Sequence, residues 1–291
     1  MPENPIPAQA LISEPDRQAI SEPLASSLER RSFGLVIGML GMVAAILLLA
    51  PTVIVVITSF TSGYSLKFPP AGYSARWYEA LWSDSPELVD AFLLSAELAA
   101  LATALSVVLS VAAALALARR KEGWARGLEA LFLSPLMLPT LAIGLSLLML
   151  FNLAEAGLSF TTLVIGHVAI ISPYIVRTTS ASLLQMNASL LESAHSLGAS
   201  AVYVFRTVTL PLISRGILAG AFIGFMASFD NVAVSLFLSD ARSQVLPIRM
   251  WQMIESNLDV RAAAVSGVLI TVTLIMMIVM ERVAGISKHL R

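Results

Sequence analysis

The sequence has no cysteine, which excludes disulfide frameworks, thiolate metal sites and cysteine nucleophiles. Histidine is nearly as scarce, and with 3 in 291 residues a multi-histidine metal site is not expected. Charge is the third shortage. Asp, Glu, Lys and Arg make up 13% of the chain, against roughly 25% in an ordinary soluble domain. A chain so poor in charge cannot cover a water-facing surface with polar groups. No G-x-x-x-x-G-K-[ST] phosphate loop occurs, so ATP hydrolysis is not expected of this chain itself. Ten-residue alternating segments are missing too, which argues against a membrane barrel.

What is present in excess is apolar. Hydrophobic residues account for 57% of the chain, and the mean hydropathy is +0.83. Six stretches, at 35–60, 91–118, 130–154, 157–176, 216–239 and 262–280, carry at most one charge each and are long enough to cross a hydrocarbon core that needs about 20 helical residues. Backbone groups in lipid must be satisfied within the segment, so these spans are helices. The expected fold is therefore an all-α integral membrane bundle of about six transmembrane helices. Pro51, Pro135, Pro139 and Pro173 do not oppose this, because packed membrane helices tolerate proline.

Residues 1–29 differ. Pro2, Pro5, Pro7, Pro15 and Pro23, with Ser and Glu, make a polar tail expected to be disordered, leaving 30–291 as the transmembrane domain. The apolar run after Arg30 and Arg31 is longer than the roughly 7–15 residues of a signal-peptide core, so it is expected to remain as the first helix. With the N-terminus inside, 13 of the 18 Lys and Arg residues fall in inner segments, and only Lys67, Arg76, Arg242, Arg249 and Arg261 fall outside. The positive-inside rule then places both termini in the cytoplasm of a multi-pass inner-membrane protein. The outer segments would be 61–90, a short turn near Glu155, and 240–261. They carry Trp77, Tyr78, Trp82 and Trp251, which suit the aromatic belt.

One inner loop, 185–214, is too polar for lipid and too regular for a linker. Ser189 and Glu192 have the spacing of a capping box, and Gly198 suits a left-handed helix stop. A second short helix is expected from Ala201, with Val204 and Val208 on one face, before Pro211 redirects the chain. A helix–Gly–helix elbow projecting from a membrane is what docking of a soluble partner requires.

The elbow also carries a family resemblance. Glu192-Ser193-Ala194, Gly198, Val208 and Leu210-Pro211 resemble the EAA loop of binding-protein-dependent ABC importer permeases, with its spacing kept in full; Ser193 and Val208 stand where the pattern has Ala and Ile. The resemblance implies the type I (MetI-like) permease fold. It further implies that these seven residues form the coupling surface for an ATP-binding cassette ATPase dimer, with Glu192 meeting a basic residue and Gly198 permitting the turn. ATP and Mg would be bound by that ATPase, and this chain would hold no cofactor. A second permease subunit, non-identical in the subgroup, an extracytoplasmic solute-binding protein and membrane lipid complete the implied partners; nucleic acid is not among them. Further on, Ser228-Phe229-Asp230-Asn231-Val232, Ser235, Phe237 and Leu246-Pro247 resemble the spermidine/putrescine subgroup and its relatives for aminoalkylphosphonates and opines. That subgroup often has two adjacent acids where this chain has Asp230 and Asn231. The implied cargo is a small polar organic solute.

An ionisable residue at mid-membrane costs on the order of 2.5–3.5 kcal/mol on insertion scales. Asp230, Asn231 and Ser228 in the fifth span, and Glu97 in the second, are therefore candidates for the substrate pathway or gate. Asp230 could instead serve only as an interhelical hydrogen-bonding site, and Glu97 could snorkel to the interface. His167 reads first as a helix–helix hydrogen-bonding residue. The stretch Leu246–Trp251 at the interface would contribute to the outer gate. Two other classes compete. An intramembrane serine protease could be drawn from Gly144-Leu145-Ser146 with His167, although Leu147 follows the serine where rhomboid-type proteases have Gly. An ion-coupled secondary transporter would leave the elbow without a purpose.

Overall fold

The computed structural model describes residues 24–117, 120, 122–240, 243–257 and 259–284. Among them the chain is helical, with a single isolated antiparallel bridge between Thr61 and Tyr73. It divides into two units, Met1–Val53 and Ile54–Arg291. The described part of the first unit is the apolar helix α1 (Leu24–Ser59), which runs on past the boundary and contains Pro51. This helix starts six residues before the expected end of the polar tail; the rest of that tail, 1–23, lies outside the described residues.

Among the described residues, five helices are long and apolar enough to cross a bilayer, and a bent pair raises the number to six. The bend corrects the expected straight span at 130–154. Helix α4 (Gly123–Leu133) continues through a 3₁₀ turn, Ser134–Leu136, and the chain then turns by 106° into α5 (Thr140–Leu153). Pro135 and Pro139 explain the turn. Neither offers an N–H, each disfavours helix in the residue before it, and Pro139 is itself extended as the residue capping α5. With 14 residues, α5 is about 21 Å long at 1.5 Å per residue, short of a hydrocarbon core of about 30 Å.

The second correction concerns the span expected at 216–239. Helix α9 (Leu210–Phe229) ends earlier, and after a three-residue break α10 (Ala233–Leu238) begins. The short helix α10 lies against α5, so closely that a Cβ on Gly144 would stand 3.0 Å from the Ala233 carbonyl oxygen and 3.2 Å from Val234 Cα.

Three long helices form the centre: α3 (Pro86–Leu117), α6 (Phe160–Gln185) and α9. Lipid offers no hydrophobic drive for their association, so close packing and interhelical hydrogen bonds must supply it. Both are present. Ser110 Oγ donates to the Ser172 carbonyl at 3.1 Å and Ser172 Oγ to Ser106 Oγ at 3.2 Å, tying α3 to α6. On α9, Gly216, Gly220 and Gly224 recur every four residues and face α6; a Cβ on Gly220 would lie 2.9 Å from Ile175 Cα. Below the helices' midpoints, Ala114, Leu183 and Ile213 close one end of the trio.

The three segments expected to share a side do gather at the other end. Helix α2 (Arg76–Ser83) is joined to Ser59 by a 2.6 Å hydrogen bond between the Tyr78 and Ser59 hydroxyls, and the Leu246 amide at the start of α11 (Leu246–Asn257) donates to Ser95 Oγ of α3 at 2.8 Å. At the start of α12 (Arg261–Ala284), Arg261 donates to Asp259 at 2.7 Å and to Ser85 at 2.9 Å. Phe151 before the Glu155 turn packs in one core with Leu98, Leu163, Val245 and Ile248.

Candidate functional site

The elbow joins the closed end of α6 to α9. Helix α7 (Ala188–Ser196) starts at Asn187, whose Oδ1 accepts from the Ser189 amide at 3.0 Å. The capping box expected of Ser189 and Glu192 does not form, because Asn187 two residues earlier takes that role. Glu192 and Ser193 are consequently exposed and Ala194 half-buried. At the far end the Gly198 amide donates to the His195 carbonyl at 2.9 Å and the Ala199 amide to the Ala194 carbonyl at 3.1 Å. This is the Schellman pattern, and Gly198 supplies its φ of +78°.

Ser200 then caps the short helix α8 (Ala201–Val204) by accepting from the Tyr203 amide. Pro211 does not redirect the chain as expected. A π-helical turn, Phe205–Thr209, absorbs it, and α8, the turn and α9 together form one candidate span of 29 residues. Within a regular helix the Pro211 ring would crowd the carbonyl four residues back and leave it unbonded; a π turn makes room. The extra residue also moves the buried face. Val204 and Thr209, five apart, are buried, and Val208 is only half-buried. Leu210 and Pro211 are exposed, as are Leu190, Leu197, Val202 and Tyr203. The elbow thus presents a polar helix with apolar tips and no buried core of its own.

At the opposite end of α9 lies the break. Asp230 is the first residue past the helix and its side chain is exposed. Among the described residues no Lys or Arg forms an ion pair with it. It borders a cavity of about 280 Å³ whose walls include Phe229, Val232, Leu246, Met250, Trp251 and Leu269. The structure therefore brings Asp230 together with the Leu246–Trp251 stretch. It does not bring the other pathway candidates to that cavity. Asn231 turns its Oδ1 to the Val234 amide at 2.8 Å, starting α10. Ser228 is buried, with its Oγ 2.8 Å from His167 Nδ1. Glu97 is exposed on α3, away from the lining residues.

His167 is fully buried, and its Nε2 meets Ser235 Oγ at 3.1 Å. Ser146 is elsewhere, donating to the Ala142 carbonyl on its own helix at 2.8 Å. The two do not form a dyad, and Gly144 is a packing residue for α10. The break at 230–232 was missed by sequence reasoning, although Asn231 before Val-Ala-Val is a helix-start signal.

Residues 106–285 match the family described as "Binding-protein-dependent transport system inner membrane component". The chain belongs to this family. It is the transmembrane permease subunit of an ATP-driven importer, not an enzyme, and ATP hydrolysis in such importers resides in a separate subunit. Among its relatives is the spermidine/putrescine transport system permease protein PotC of Haemophilus influenzae, 28% identical over 82% of this chain and 92% of its own length. The putrescine transport system permease protein PotI of Escherichia coli is 32% identical over 73% of this chain and 77% of its own. A chain of a bacterial ABC transporter for the import of alginate superposes with a TM-score of 0.70 at 14% identity, covering 91% of this chain and 99% of that one. A chain of the MetNI methionine transporter gives 0.57 at 15% identity, over 68% and 94%. These two likenesses bear on fold. Neither the protease nor the secondary-transporter reading finds support.

Proposed function

We propose that this permease carries a small organic cation, with an amine and an aliphatic portion, inward across the bacterial inner membrane. The observation that carries the reading is the placement of two features on one helix. The elbow enters α9 at one end, and Asp230 stands just past the other, about 30 Å away for 20 residues rising 1.5 Å each. Force on the elbow would therefore reach the Asp230 cavity through a single rigid element. The cavity suits such a cargo: one carboxylate for an ammonium group, and Phe229, Met250 and Trp251 for methylene groups, with Trp251 also able to face a cation. PotC and PotI, permeases of spermidine/putrescine and putrescine transport systems, agree with an amine.

In this reading Glu192, Ser193, Ala194 and Gly198 dock in an ATPase of the dimer, Val208, Leu210 and Pro211 form the root of that contact, and ATP with Mg is held by the ATPase. A second, non-identical permease faces this chain, and an external binding protein delivers the solute to the end bearing α2 and α11. Both termini lie in the cytoplasm in this reading, the side that the distribution of Lys and Arg favours. Asn231 and Ser228 support the gate from behind, and Glu97, on α3 and outside the Asp230 cavity, is kept as a candidate for the rest of the path. The test is uptake by the complete importer carrying Asp230→Ala at normal membrane abundance. A loss of about tenfold or more fits removal of a charge-assisted contact; undiminished uptake would overturn the reading.

A further inference from the structure

One side chain of α6 bridges the discontinuity between α9 and α10. Ser228 lies in the last turn before it and Ser235 in the first turn after it, and both hydroxyls meet the same imidazole on α6. Ser228 Oγ is 2.8 Å from Nδ1 and Ser235 Oγ is 3.1 Å from Nε2 of His167. All three side chains are buried, at 0%, 2% and 0% exposure for His167, Ser228 and Ser235. The chemistry of the ring fits this use. A neutral imidazole has one donor and one acceptor pointing in opposite directions, and hydroxyls rotate to satisfy either, so each tautomer can hold both serines. From α6, the imidazole thus reaches both helix ends with both of its ring nitrogens bonded. The neighbourhood is closely built as well, since a Cβ on Gly166 would stand 3.1 Å from Val234 Cγ1.

We propose that His167 is the positioning residue of the gate: by clamping Ser228 and Ser235 it fixes the angle between α9 and α10, and hence the place of Asp230 at the cavity mouth. The proposal rests on the reading of Asp230 as a solute contact, but the clamp itself has a geometric readout. Because the natural chain has no cysteine, Asp230→Cys gives a unique thiol at the break. Its rate of modification by a water-soluble methanethiosulfonate in the complete importer, read on this chain after the subunits are separated, with and without His167→Ala, reports the loop.

The expected result is a change in labelling rate of about fivefold or more, and in the otherwise natural chain a loss of uptake of about tenfold, as two net hydrogen bonds would give. The pair Ser228→Ala and Ser235→Ala should reproduce both effects, and adding them to His167→Ala should cost little more, since members of one network are not additive. Where His167→Ala fails to accumulate, His167→Gln fills much of the space and keeps a hydrogen-bonding end for one serine, so its labelling and uptake should fall between. Unchanged labelling in that variant, or uptake losses that simply add, would overturn the clamp. Normal uptake by Asp230→Ala would remove the solute reading without touching the labelling result.

Discussion

Gly198 and Gly220 show two separate uses of a missing side chain. At Gly198 the requirement is conformational: φ is +78°, and any L side chain there costs about 1–2 kcal/mol. Gly198→Val should therefore distort the elbow, lowering ATP-driven uptake severalfold while membrane abundance stays near normal, as immunoblotting of membranes beside an uptake assay would show. At Gly220 the requirement is room. A Cβ would meet the Ile175 backbone at 2.9 Å, so Gly220→Leu should separate α6 from α9 at a cost of about 3 kcal/mol, in the range of strong overpacking. A lowered melting temperature of the purified importer is the measurement. The same substitution at Gly34, which has nothing within 4 Å, should have no such effect.

At the scale of elements, the turn before α12 offers a pH test. Burial opposes ionisation of Asp259, but the hydrogen bonds and charge of Arg261 outweigh it and hold the carboxyl below its ordinary value. A lowered folded value means the stabilisation is fully present above the ordinary carboxylate range and is lost as pH falls through the folded value. Melting of the natural chain and of Asp259→Asn should therefore differ at neutral pH, by about 1 kcal/mol for a partly exposed pair. The difference should close only in strongly acidic buffer.

What was legible in the sequence also divides by element. The spans, the polar elbow and its Gly198 stop follow from hydropathy and from one glycine, because both act locally. The 106° turn and the break after Phe229 do not. Hydropathy averaged over a span passes smoothly across three residues, and proline is tolerated in membrane helices too often to mark a bend. At the elbow, Ser189 with Glu192 matched a pairing rule, yet Asn187 captured the helix start because the first good cap in the chain leaves the next one inside the helix. Asp230 could be singled out by its charge alone. Its companion Trp251 was placed at the interface but not beside it, since their meeting depends on α11 being pinned to Ser95, a contact 151 residues apart in sequence.

At the scale of the whole molecule, the chain supplies a path and a lever but no motor. Reconstituted alone into vesicles under a proton or sodium gradient, it should move no solute. With the ATPase, the second permease and the binding protein added, uptake should follow ATP hydrolysis, and radiolabelled amine accumulation is the readout. Glu192→Lys should cut that coupled uptake by about tenfold while the chain still reaches the membrane, an effect of the size expected when a charge at a docking contact is reversed.

The glycine seam between α6 and α9 has one more consequence. Where backbones touch, there is no cushion of pliable side chains to soak up displacement, so the pair bends as a single girder. A stroke of an ångström at the elbow would then arrive as nearly an ångström at Phe229, and larger residues along the seam would blunt the stroke before they unfolded the protein.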